Sequence, residues 1–287
     1  MPLGPALSLS TACLPHLSLA ANLRLAAAAG FSGVELVLGP QTWLRRPAQL
    51  LRLARDHGVR IHSVHQALAP LSLVTTGEER MVVAARAAVA LDCPAAVIHG
   101  PWTDHWASSE GQAWLRALAH CRAIVQGSGT RLSLENPGVY SAADHANVLG
   151  RLPELLALAR DQDLDLTLDT CHAGTGATGL LAAYALVRPR LSNVHLSDLR
   201  DSPGRHSPWT RAVWAHHQLP GAGYLPLGAL LSQMRSDGYA GLVTLEVSVF
   251  ALRGWRMGAA QASLRAAART LRGALLDGRP SPAPGEA

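Results

Sequence analysis

The chain has 287 residues, 48% of them hydrophobic, enough to bury a large core and to fill one (β/α)8 barrel without a second domain. All 25 basic residues are arginines, which excludes a Schiff-base lysine, a P-loop lysine and a lysine general base. Catalysis falls to carboxylates, the 13 histidines, hydroxyls, thiols or a metal; the net charge of +5, dispersed over arginines, says little about a polyanionic partner.

In chain order, the apolar run 7–10 (LSLS) predicts a strand and is followed by a helical pattern over 18–29. Next come 33–38 (GVELVL) with a helix over 47–57, 59–64 (VRIHSV) with 78–91, and 95–99 (AAVIH) with 110–126. The second half repeats the unit: 131–135 (RLSLE) with 153–161, 164–169 (LDLTLD) with 178–187, 191–196 (LSNVHL) with 226–237, and 242–247 (LVTLEV) with 259–276. Short Val/Ile/Leu runs of this kind read as buried parallel strands. Their regular alternation with helices predicts an α/β fold, a single (β/α)8 TIM barrel over residues 1–276. Ser197 to Tyr224 forms a long Gly- and Pro-containing loop after the seventh strand, placed to act as a lid. Residues 277–287 are Pro-rich and read as a disordered tail.

Cys13, Cys93, Cys121 and Cys171 show no CxxC spacing, which suits a reducing compartment. The N-terminus lacks a basic n-region, and Pro2, Pro5 and Pro15 interrupt its apolar run. A soluble, cytoplasmic protein with no membrane partner is expected.

The positions of the ionisable residues carry the functional signal. His65 follows the third strand, His99 ends the fourth, Glu135 the fifth and Asp169 the sixth; His195 lies near the end of the seventh and Glu246 of the eighth. In a (β/α)8 barrel those ends converge on one rim. Singly, each residue has a bland reading as a hydrogen-bonded histidine, a helix cap or a salt-bridge partner. Jointly they are costly to bury unless paired or bound to metal. Glu135, Asp169, His195 and Glu246 together offer a mixed oxygen and nitrogen shell for one divalent ion. Mn²⁺ or Mg²⁺ is favoured by the oxygen count and Zn²⁺ or Co²⁺ also fits, zinc more so if His65 and His99 bind metal too. His16, His57, His120 and His145 have no such company and read as surface histidines.

The segments AGFSGVEL (29–36), LENPG (134–138), DTCH (169–172), HLSD (195–198), LPGAG (219–223) and LEV (245–247) resemble, in order and spacing, the xylose-isomerase-like TIM barrel superfamily. That group includes the sugar (phosphate) isomerases and epimerases and is related to endonuclease IV. For the epimerase branch the resemblance implies one metal on Glu135, Asp169, His195 and Glu246, with the two glutamates doubling as acid and base and His172 on the substrate. For the endonuclease IV branch it implies a three-zinc cluster, with His65, His99, His172 and His217 as further ligands and an Asp two residues before the last His.

Ala215 stands where that Asp is needed, Ala222 replaces the acidic residue of the Gly-Glu-Gly turn, and Glu35 follows the isomerase pattern. DTCH, together with Gln41 and Trp43 after the second strand and the positive charge, leans towards the nuclease. Against the ketose epimerases, Ser141 replaces a further Glu, and Asp201 replaces an Arg, with Arg200 beside it.

The expected activity is therefore a divalent-metal-dependent isomerase or epimerase of a sugar or sugar phosphate, through an enediolate intermediate. His172 and Arg200 are expected to contact hydroxyls or a phosphate, and Trp102 and Trp106 to supply an apolar wall. The alternatives are cleavage of abasic DNA, sugar-acid dehydration, and a non-catalytic metabolite-binding barrel. A small-molecule sugar is the expected partner, nucleic acid the less favoured one, and an oligomer is compatible with the sequence.

Overall fold

Strands and helices alternate along the computed structural model, which describes residues 4–68, 76–201 and 214–277. The first half runs β1 (Ala6–Ser10), α1 (Leu19–Ala29), β2 (Gly33–Val37), α2 (Pro40–Trp43), α3 (Pro47–Asp56), β3 (Arg60–His65), α4 (Gly77–Ala90) and β4 (Ala95–His99). It continues through α5 (Ser109–Val125), β5 (Arg131–Glu135), α6 (Leu152–Asp161), β6 (Asp165–Asp169), α7 (Thr170–Thr175) and α8 (Leu180–Val187). The last elements are β7 (Leu191–Leu196), α9 (Leu227–Ser236), β8 (Leu242–Leu245) and α10 (Met257–Leu275). The strands close into a parallel barrel in sequence order, β8 pairing with β1. The fold is a (β/α)8 TIM barrel.

Local chemistry sets the helix ends. Ser18 caps α1 by accepting the Ala21 amide, and Gly30, at φ +94°, ends it in the left-handed conformation. At α4, Thr76 Oγ1 accepts the Glu79 amide while Glu79 accepts the Thr76 amide, a reciprocal capping box.

The strands differ from the uniformly apolar reading in one respect: they alternate. On β5, Leu132 and Leu134 join the hydrophobic core, whereas Ser133 and Glu135 are buried polar residues on the opposite face. The same alternation recurs on β6 and β7. Ser133 bonds to Thr167 at 2.7 Å, and Thr244 donates to Asn193 at 3.0 Å. Asn193 in turn donates to Glu35 at 3.1 Å. Strands β2 and β7 are not neighbours in the sheet, so the Asn193–Glu35 bond crosses the lumen. The barrel's interior is thus a hydrogen-bonded polar layer, and the apolar core lies between the strands and the helices.

Three details shift from the sequence expectation. His65 is the last residue of β3 rather than the one after it, and β8 ends at Leu245 with Glu246 just beyond. The short helices α2 and α7 interrupt what reads as loop. Residues 202–213 of the loop expected to act as a lid, and the tail from 278 onward, fall outside the described residues. No described helix is long and apolar enough to cross a membrane.

Candidate metal centre

The strand register brings the ionisable ends together: His99 lies opposite Glu135, and Asp169 opposite His195. Donor atoms from Glu135, Asp169, His195 and Glu246 all lie within 4.8 Å of one another. Asp169 and His195 are fully buried, and Glu135 nearly so.

Each ligand is oriented by a second group. His195 Nε2 faces Glu35, 3.0 and 3.1 Å from its two oxygens. Glu35 is itself fixed by donors from Ser63 (2.9 Å) and Asn193. With its proton on Nε2, His195 turns the lone pair on Nδ1 towards Glu246 Oε2 at 2.8 Å and Glu135 Oε2 at 3.5 Å. A carboxylate behind a ligating imidazole is a recurrent device for fixing tautomer and ring orientation. Asp169 uses Oδ1 to cap α7, accepting the His172 amide at 2.7 Å, which leaves Oδ2 free. Asn136 clamps the same residue through its backbone: Oδ1 accepts the Asp169 amide at 2.7 Å, and Nδ2 donates to its carbonyl at 3.3 Å.

The residues present fit a metal. Asp169 Oδ2 is buried without a hydrogen-bond partner, His195 Nδ1 faces carboxylate oxygens, the nearer being Glu246 Oε2 at 2.8 Å, and both atoms belong to the four-residue cluster. Leaving an atom such as Asp169 Oδ2 unsatisfied costs roughly 1–3 kcal/mol, a debt that a cation would cancel. Three carboxylates and one imidazole form a donor set suited to a divalent ion.

The neighbouring histidines gather around Glu135. His65 Nε2 lies 3.3 Å and His99 Nε2 3.2 Å from Glu135 Oε2, and the two nitrogens are 3.1 Å apart. His65 Nδ1 faces the Gln66 carbonyl at 2.6 Å, which directs its Nε2 lone pair into this triangle. His172 Nδ1 lies 2.9 Å from the Asn136 carbonyl and 3.2 Å from Glu135 Oε1, so it positions that carboxylate. His217, at φ +48°, bonds through Nδ1 to Ser197 Oγ at 3.2 Å and stands 3.9 Å from Asp169 Oδ2.

Charge follows from this crowding. Burial alone would raise Glu135, but the His195 and His99 charges and the His172 hydrogen bond hold its carboxyl well below the usual range. Burial likewise opposes the ionised form of Glu246, yet His195 holds its pKa down to about 2. Against their own burial, Glu35, Glu246 and Glu135 raise His195 well above its ordinary value, and Asp169 and Glu135 raise His172 to about 10. The two glutamates thus stay ionised, as ligands to a cation must be, and a cation would displace the proton that His195 holds.

Above the cluster opens a cavity of about 420 Å³, reached by Ala12, Trp102, Tyr140, His217, Glu246 and Ser248 among others. Its walls depend on two buried carboxylates that tie loops to the barrel. Asp144 accepts the Tyr140 and Ser141 amides at 2.6 and 2.7 Å, shaping the turn that presents Tyr140. Asp198 accepts amides from Gly221, Gly223, Leu225 and Leu199, all within 3.0 Å. A Cβ at Gly223 would meet the Leu199 carbonyl at 2.1 Å, which explains the glycine in the LPGAG turn.

Several sequence expectations change here. Arg200 does not reach the cavity; its Nε donates to the Ala222 carbonyl at 3.2 Å on the outer surface. Trp102 lines the cavity, but Trp106 packs against Trp114 at 5.9 Å instead. Gln41 ties α1 to its loop, accepting from Leu19 N and donating to Leu17 O. Ala215 is buried and brings no carboxylate to His217. Sequence reasoning did not assign Glu35, Asn136 and Tyr140 to the site. For Glu35 a signal existed, namely a carboxylate inside the alternating strand GVELV.

The fold and the site define a barrel with a cluster of possible ligands for a divalent cation at its C-terminal mouth. The chain belongs to the xylose isomerase-like TIM barrel family, whose sequence pattern matches residues 23–272. It is 25% identical over 260 residues to the uncharacterized protein Rv0498 of Mycobacterium tuberculosis, covering 85% of this chain and 89% of that one. Among solved structures it shares its fold with a D-tagatose 3-epimerase-like protein (TM-score 0.69, 19% identity, 94% of this chain and 97% of that one). A probable 3-DHS dehydratase AsbF from Bacillus anthracis is as similar (TM-score 0.69, 18% identity, 93% and 98% covered). An AP endonuclease of family 2 from Brucella melitensis follows (TM-score 0.63, 17% identity, 88% and 98% covered).

Proposed function

We propose that the chain is a divalent-metal-dependent isomerase or epimerase acting on a sugar. The observation that carries this reading is the convergence of donor atoms from Glu135, Asp169, His195 and Glu246, with Asp169 Oδ2 buried and unpartnered, where two glutamates line one cavity. Glu135, Asp169, His195 and Glu246 would hold the ion, which when bound supplies Lewis-acid polarisation of two adjacent substrate oxygens.

The two glutamates are not equivalent. Glu135 is engaged on both oxygens, by His172 on one and by His65 and His99 on the other. Glu246 is paired closely with His195, with His217 further off, and is the more exposed to the cavity. Glu246 is therefore the base that removes the proton from the carbon next to the carbonyl. Glu135, ionised as it stands, passes on the proton of the protonated His172 bonded to its Oε1, to the other face for epimerisation or to the neighbouring atom for isomerisation. His172 and His217 border the same space and bind hydroxyls. Among the described residues no arginine lines the cavity, which favours an unphosphorylated sugar over a sugar phosphate.

Solvent deuterium incorporation tests the reaction. The metal-loaded protein exchanges a C–H next to the carbonyl of at least one member of a ketose panel, and Glu246→Gln abolishes it. Full exchange in that variant removes Glu246 from the mechanism.

One observation favours a second reading. The His65–His99–Glu135 triangle offers three donor atoms for another ion, as multinuclear zinc cleavage of abasic DNA requires. Ala215 weighs against a third ion. Nicking of an abasic duplex by the zinc-loaded protein, without sugar exchange, would establish the nuclease.

A further inference from the structure

A second cavity, of about 270 Å³, opens on the same face of the barrel between the loops that follow β1 and β2. Ala12 lines both this cavity and the one over the metal centre, so its methyl group forms a sill between them. The walls are apolar, built from Pro15, Leu17, Leu19, Val37, Leu38 and Pro40.

Thr11, Gln41 and Thr42 also line it with their polar groups hydrogen-bonded, and one buried polar atom is left without a partner. Asn22 lines the cavity and is 97% buried; its Nδ2 donates to the Leu14 carbonyl at 3.1 Å, while its Oδ1 has no donor. Gln41, the other amide on this wall, has both ends occupied. A cavity of about 150 Å³ can take a benzene ring. The space here therefore accommodates a ring, and the unpaired acceptor asks for a hydrogen-bond donor on it.

We propose that this cavity is a subsite for an apolar, ring-sized group bearing a hydroxyl or amine donor, joined to the sugar held at the metal centre. The substrate is then a two-part molecule, a sugar that keeps a free carbonyl beside a hydroxyl and carries the ring-bearing group at another carbon, rather than a free monosaccharide. This inference rests on the sugar reading for the first part only; the second part is fixed by the cavity.

Gly39 provides the test. It lines the cavity, its φ of −179° is extended backbone, and a Cβ there meets nothing within 4 Å. Gly39→Trp fills the space without touching any metal ligand. The probes are 4-hydroxyphenyl β-D-glucopyranoside, methyl β-D-glucopyranoside and hydroquinone, followed by saturation-transfer NMR on the metal-loaded protein.

The aryl glycoside binds about tenfold more tightly than the methyl glycoside, a difference of about 1.4 kcal/mol. Its aromatic protons are saturated, and hydroquinone binds weakly on its own. Gly39→Trp removes the aromatic signals and the tenfold preference and leaves methyl glycoside binding and metal content unchanged. If that variant does not fold, Ala12→Leu at the sill gives the same loss of preference.

A preference that survives both variants overturns the subsite, as does the absence of hydroquinone and aryl glycoside binding, which would leave only solvent at Asn22. The two readings separate cleanly. Hydroquinone bound in wild type and lost in Gly39→Trp, with no exchange on any sugar, keeps the subsite and removes the sugar chemistry. Exchange on free ketoses without aryl binding does the reverse.

Discussion

The two ends of the barrel both carry clusters of charge, and they solve the problem of charge differently. At the base, Arg131 meets Asp163 at 3.2 Å and Asp165 at 3.0 Å, with Arg190 close to Asp163. Each carboxylate there has a guanidinium, and solvent shares the rest. At the mouth, Glu35, Glu135, Asp169 and Glu246 sit among imidazoles, and no described arginine lines the cavity above them. Burying so many carboxylates without a fixed cation is expensive, whereas exposed pairs of the first kind contribute little. The base is neutralised at little cost and with little gain in stability. The mouth sets imidazoles against its carboxylates, which is what makes it a candidate cation site.

The largest expected effect breaks the mouth's chemistry. Glu246→Gln lowers deuterium exchange by roughly 10²–10⁴-fold, the usual contribution of a positioned acid or base. Its fold and melting temperature stay close to wild type. Next comes the group behind the ligand. Glu35→Gln weakens metal binding by about 10–100-fold in a calorimetric titration, because His195 loses the carboxylate that orients it. Unchanged affinity would reduce Glu35 to a packing residue.

Strand β3 offers a contrast in pH response within six residues. The carboxylates around His65 outweigh its burial and raise its pKa, whereas burial and the Arg60 charge bring His62 down to about 4. The folded form of His62 thus binds fewer protons than the unfolded form between pH 6.5 and about 4. Stability is lost as pH falls through that window, by on the order of 2–3 kcal/mol. His62→Leu flattens this limb of the urea-midpoint profile. An unchanged profile shows that His62 does not carry it.

The smallest effect is at the base. Arg131→Ala costs under about 1 kcal/mol and less in high salt, and leaves metal affinity untouched.

Most of the fold was legible because the barrel repeats one short pattern, and every strand run from LSLS to LVTLEV falls on an observed strand. The layering inside was less legible. Runs such as RLSLE and LDLTLD read as buried strands with an ionisable residue at the end, yet their inner Ser and Thr residues also join the polar lumen. Topology, rather than any single motif, placed Glu135, Asp169, His195 and Glu246 on one rim, since strand ends must converge. What topology does not give is the direction of a loop side chain. Arg200 follows β7 closely in sequence, but its guanidinium turns outward to the Ala222 carbonyl. Tyr140 reaches the cavity because Asp144 folds its loop back, a contact no periodicity encodes. The helix α7 went unread because Thr-Cys-His-Ala-Gly-Thr has little helical preference and depends on Asp169 as its cap.

The cation centre is tested most directly by elemental analysis of the protein purified without chelator, alongside His195→Ala. Wild type should carry about one divalent ion per chain, rising only if the His65–His99–Glu135 triangle also fills, and the variant should lose the ion while remaining folded. A wild-type protein that is metal-free and takes up no Mn²⁺, Mg²⁺, Zn²⁺ or Co²⁺ on dialysis would contradict the assignment of these four residues as ligands.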